Sequence, residues 1–86
     1  MSKALKVELK MPSSEFLHEF RNFGEDVYRD LKEECSVSIA EIDSSVDAFY
    51  VRDIRPKFLR SAAARVRKIA LEHQMAGMID VTEVVP

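Results

Sequence analysis

Between Arg55 and Gly77 the chain reads RPKFLRSAAARVRKIALEHQMAG, an apolar stripe at helical spacing with punctuation at both ends. Pro56 suits a first helical turn, where its missing N–H goes unneeded. Gly77 suits the left-handed position that closes a helix, with Met78 available for the hydrophobic contact behind it. At 3.6 residues per turn, Phe58, Leu59, Ala62, Ala63, Val66, Ile69, Ala70 and His73 share one face, which has to be buried against something. Arg60, Arg67 and Lys68 fall on the other side, and from Arg55 to Lys68 there are six basic residues and no acidic one. A second, narrower stripe of Ala64, Lys68, Leu71 and Met75 runs along the outward side at i, i+4, i+7 and i+11. Water alone gives Leu71 and Met75 no reason to be there, so the stripe is a candidate contact with a partner.

The remainder of the chain supplies the surface on which this helix lies. Ala4 to Met11 alternates strictly, with Leu5, Val7, Leu9 and Met11 facing one way and Lys6, Glu8 and Lys10 the other, which predicts a strand with one uncovered face. Pro12 ends it, and Ser13 or Ser14 can cap a helix running to about Glu34, with Phe16, Phe20, Phe23, Val27 and Leu31 on its apolar side. Gly24 falls on that buried side, where a mid-helix glycine marks a close approach of another backbone. Ser36 to Asp43 reads as a second strand with a bulge or an end near Glu41 and Ile42, Asp43-Ser44-Ser45 as a turn, and Val46 to Asp53 as a third strand. In that third strand Phe49 and Val51 face inward, and Ala48, Tyr50 and Arg52 outward. Ile79 to Val85 makes a last β segment.

Strand, helix, strand, strand, helix, strand, with both helices amphipathic, predicts a single domain over residues 1–86. The expected architecture is α+β: a ferredoxin-like βαββαβ two-layer sandwich, with a four-stranded antiparallel sheet in order 4-1-3-2 and two helices on one face. Eighty-six residues bury only about 60% of the unfolded surface, so such a core gains from self-association. The expected topology resembles the RNA-recognition domains, whose central strands carry stacked aromatics, and also small regulatory domains that dimerise through sheets or helices. Against the RNA-binding pattern, the third strand lacks the glycine and offers Tyr50 as its one outward aromatic.

Charge is split along the chain: seven Lys/Arg against twelve Asp/Glu up to Asp53, then six against three. With a pI near 5.7 the overall bias of a nucleic-acid binder is missing, and the acidic first helix is expected to balance the basic second one. A single cysteine, Cys35, at the negative end of a helix, predicts neither an internal disulfide nor an activated thiolate, and favours a reducing, cytoplasmic setting. His18 and His73 lie on opposite sides of their helices with no spacing for a shared metal, and the glycine-rich phosphate loop has no counterpart in a chain with two glycines. No apolar run is long enough to span a membrane. The sequence thus predicts a protein that is not an enzyme and carries no metal or cofactor. Its role is expected to be interaction or regulation, as a homodimer or with a protein partner. The candidate contacts are the helix stripe and the open sheet face of Lys6, Glu8, Lys10, Tyr50 and Arg52. The alternative is nucleic-acid binding through Arg60, Arg67 and Lys68 on the basic helix 55–76.

Overall fold

A computed structural model describes residues 3–11, 13–34, 38–39 and 47–84. In chain order these form β1 (Lys3–Leu9), α1 (Ser14–Glu34), β2 (Ser38–Ile39), β3 (Ala48–Ile54), a 3-10 turn (Pro56–Phe58) leading into α2 (Leu59–Glu72), and β4 (Ile79–Val84). Cys35, the Glu41–Ile42 bulge and the Asp43-Ser44-Ser45 turn lie outside the described residues, as does Pro12.

The alternation in β1 is realised from Leu5 to Leu9, whereas Met11, expected on the inward side, lies beyond the strand and is 67% exposed, and Ala4, on the outward side, is buried. Leu5, Val7 and Leu9 are buried while Lys6 and Glu8 remain half-exposed. α1 starts where Ser13 acts as its cap: the Ser13 carbonyl accepts from the Leu17 N–H at 2.8 Å and its hydroxyl accepts from the Phe16 N–H at 3.4 Å. The apolar sides of α1 (Phe20, Phe23, Val27, Leu31) and α2 (Ala62, Val66, Ile69, Ala70) meet the inward residues of β1, β3 and β4 in one core. Gly24 is buried on α1, on the side its spacing predicts. Phe20, Phe23 and Phe49 form the centre of that core, with ring centroids 5.4 to 5.9 Å apart.

The strands pair antiparallel in order β2-β3-β1-β4. The expectation of a four-stranded ferredoxin-like sandwich nevertheless needs correction. Only three members, β3, β1 and β4, are strands of ordinary length. β2 is a two-residue rung, Ser38 and Ile39 opposite Arg52 and Val51. A pairing that short contributes little of the cross-strand side-chain contact that makes a strand, so the described sheet is three-stranded, with a rung at its β3 edge. The α+β class, with the helices covering one face, stands.

Two left-handed residues shape the elements around α2. Between the pairs Leu5–Val51 and Lys3–Ile54, β1 advances two residues and β3 three, a bulge in which Asp53 has φ 60°. The extra residue reverses the side on which the next side chain points, so Ile54 is turned into the core, fully buried, instead of outward. At the other end, α2 stops at Glu72, five residues short of the glycine expected to close it. Gln74 takes the left-handed position at φ 60°, the Met75 N–H donates to the Ala70 carbonyl at 2.7 Å and the Gln74 N–H to that of Leu71 at 3.0 Å. This is a Schellman closure with glutamine where glycine is usual. Gly77 has no positive φ, and a Cβ added there meets nothing within 4 Å.

The closure makes an inverted prediction. Gln74→Gly relieves a left-handed side chain and is expected to stabilise the fold by about 0.5–1 kcal/mol. Gly77→Ala is also expected to stabilise, by about 0.4–1 kcal/mol, by restricting the unfolded chain. Urea-unfolding midpoints measure both. Destabilisation by Gly77→Ala would restore Gly77 as the left-handed cap.

Candidate interaction surfaces

Residues facing away from the helices form a flat, polar sheet surface. Across its middle Tyr50, Lys6 and Thr82 stand in register, and beside them Ala48, Glu8 and Asp80. Lys6, Glu8 and Tyr50 are half-buried, and Lys10 and Arg52 are exposed. Charges on this face are matched locally: Lys6 Nζ lies 3.6 Å from Glu8 and Lys10 Nζ 3.5 Å from Asp80. Arg52 lies over the Tyr50 ring, 5.2 Å from its centroid. No element covers this face among the described residues.

On α2 the predicted stripe is realised only in part. Ala64, Lys68 and Leu71 are exposed, Leu71 to 67%. Met75 is not on the stripe: it is 2% exposed, part of the core. The reason is the early helix end, because the left-handed turn at Gln74 breaks the 3.6-residue phase and swings Met75 beneath α2. The expected balance between basic and acidic helices is likewise partial. Arg65 reaches across to α1, its Nε 2.9 Å from Asp30 and its second terminal nitrogen 3.6 Å from Glu34. Arg60, Arg67 and Lys68 stay exposed, and among the described residues their side chains have no ion-pair or hydrogen-bond partner.

The constellation that sequence reasoning missed centres on His73, at the C-cap of α2. Its Nδ1 lies 2.6 Å from Glu19 Oε1 and its Nε2 2.6 Å from Asp26 Oδ2, both on α1. Carboxylates only accept, so both contacts are made together by the doubly protonated ring, donating from each nitrogen. The hydrogen bond to Glu19 raises the His73 pKa above its ordinary value of 6.5, burial opposes the rise, and Asp26 adds to it. The side chain is 17% exposed and stands edge-on to Phe23 at 6.0 Å, so the charged bridge borders the aromatic core. Glu19 and Asp26 are seven residues apart and therefore share a face of α1. That much is legible in the sequence; that α2 brings a histidine between them is not.

Two shallow grooves flank this bridge. One, of about 510 Å³, has Phe16, Met75 and Met78 on its apolar side and Glu15, Glu19 and Glu72 on its polar side. The other, of about 280 Å³, runs past Asp26, Asp30, Glu33 and Glu72, with Arg29. His18 is exposed on α1 and lies outside both. Among the described residues no group of three or more His, Cys, Asp or Glu side chains is arranged to hold a metal ion, and no helix is long and apolar enough to cross a membrane. No protein-family model matches the chain, and no curated protein is significantly similar to it.

Proposed function

We propose that the protein is a non-catalytic interaction or regulatory module that self-associates through the uncovered face of its sheet. The observation that carries this reading is the contrast between the two faces of one layer. Both helices pack on one, while the other presents Lys6, Glu8, Tyr50, Ala48 and Thr82 flat to the surroundings. A second copy suits this face because it carries both signs, Lys6, Lys10 and Arg52 against Glu8 and Asp80, so a two-fold contact can set cations of one copy against carboxylates of the other.

Size sets the strength. Three strands about 4.8 Å apart and about 20 Å long give a footprint of a few hundred Å² per copy, below the roughly 800 Å² of a standard interface. A contact that small makes the dimer weak and exchanging. A non-catalytic role is supported by His73: both ring nitrogens are occupied by carboxylates, leaving neither to accept a proton from a substrate in either groove. A reducing, cytoplasmic setting suits a chain whose single cysteine is Cys35.

Amide shifts of the labelled protein over a concentration series test the surface. Movement is expected at Lys6, Tyr50, Arg52 and Thr82 and none at Ala64 or Leu71. Shifts confined to α2, or none at all, would remove the sheet face from the proposal.

A further inference from the structure

We infer that the outward face of α2 is a second docking surface, and that it takes an acidic, amphipathic helical segment of another protein. Leu71 is the apolar anchor, and Arg60, Arg67 and Lys68 receive the carboxylates. Arg60, Ala64, Arg67, Lys68 and Leu71 are all exposed and are spaced three and four residues apart, so they form one stripe about 16 Å long. Within the stripe a large apolar side chain 67% exposed stands beside Arg67 and Lys68, with Arg60 at the far end, and none of the three cations has a partner in the described fold. Arg65, nearer the edge of the same helix, is by contrast consumed by Asp30 and Glu34.

Charge decides what fits. A second copy packed antiparallel, with Leu71 over the partner's Ala64, would bring Arg67 and Lys68 of both copies together at the two-fold axis, and like charges so placed oppose association. A head-to-tail contact with α1 of another copy would meet exposed Arg21, Arg29 and Lys32 among its carboxylates, and would not close. A nucleic-acid backbone would satisfy the three cations but leave Leu71 without an apolar partner. Running on past Leu71, it would also meet Glu72 and the groove bearing Asp26, Asp30 and Glu33. A helix with leucines along one stripe and glutamates beside them satisfies both the cations and Leu71.

Fluorescence anisotropy with the full chain tests this, using three labelled probes at low salt. They are an amphipathic Glu/Leu helical peptide of about 18 residues, a scrambled peptide of the same composition, and a single-stranded DNA of comparable charge. The amphipathic peptide is expected to bind at least about tenfold more tightly than the scrambled one. Leu71→Asp, and separately Arg60→Glu with Arg67→Glu, should each weaken it by about tenfold or more without altering the circular dichroism, and Tyr50→Glu on the sheet should leave it unchanged. Equal affinity for the two peptides, tighter binding of the DNA, no peptide binding up to about 1 mM, or a Leu71→Asp variant that binds like the parent would each overturn the inference. The sheet-face proposal is untouched by any of them.

Discussion

Phe23→Ala is expected to lower the unfolding free energy by about 3–5 kcal/mol, read as a shift of the urea midpoint. Phe23 is fully buried and ties its own helix to two other elements on which the fold depends. It lies in α1, its ring is 5.8 Å from that of Phe49 on β3, and it stands edge-on to His73 at the end of α2. Truncation removes an aromatic that joins helix to helix and helix to sheet, and leaves a cavity that neighbouring backbones cannot close without moving. Since domains of this size have about 5–15 kcal/mol in total, the variant is expected to be marginally folded. A change under about 1 kcal/mol would mean that this phenylalanine does not occupy the core position described.

Raising the pH is expected to loosen the protein through the same corner. The pKa of His73 is raised in the fold, so the stability it contributes is fully present below 6.5, the unfolded value, and is lost as pH climbs through the higher folded value. The neutral ring can donate from one nitrogen only, so one of Glu19 and Asp26 loses its hydrogen bond. Hydrogen bonds to charged groups contribute about 1.5–3 kcal/mol. Glu19 and Asp26 are 45% and 43% exposed, so solvent screening pulls the figure to the low end. His73→Phe keeps a ring against Phe23 and removes both donors. At pH 6 it is expected to cost about 1–2 kcal/mol. Above pH 6.5 it should lack the alkaline decline of the parent. If parent and variant decline in parallel with pH, the bridge is not made by a charged ring. Because Phe23 and His73 touch, the two substitutions should not add.

How far the sequence alone reaches is visible in particular residues. From Leu5 to Leu9 in β1 and from Phe20 to Leu31 in α1 the periods of 2 and 3.6 name the buried residues without reference to the rest of the chain, whereas Met11 escapes burial because the strand ends at Leu9. The end of α2 is not legible locally, because glycine is the usual left-handed closer and here Gln74 accepts that conformation so that Met75 can enter the core. Helical spacing carried on to Gly77 therefore places Met75 on the outer stripe, where it does not lie. Local spacing also gave no warning of the Asp53 bulge, which is set by β3 having to deliver Ile54 inward. The meeting of Glu19, Asp26 and His73 depends on how two helices lie side by side, a relation between segments about 50 residues apart that no local pattern encodes.

Sedimentation equilibrium, from about 10 to about 500 μM, bears most directly on the central claim that the uncovered sheet face is where this protein meets its own kind. The parent is expected to rise from 9.8 kDa toward twice that mass across the range, and Tyr50→Glu to stay at 9.8 kDa throughout. A parent that remains at 9.8 kDa at every concentration, or a Tyr50→Glu variant that associates as the parent does, would contradict it.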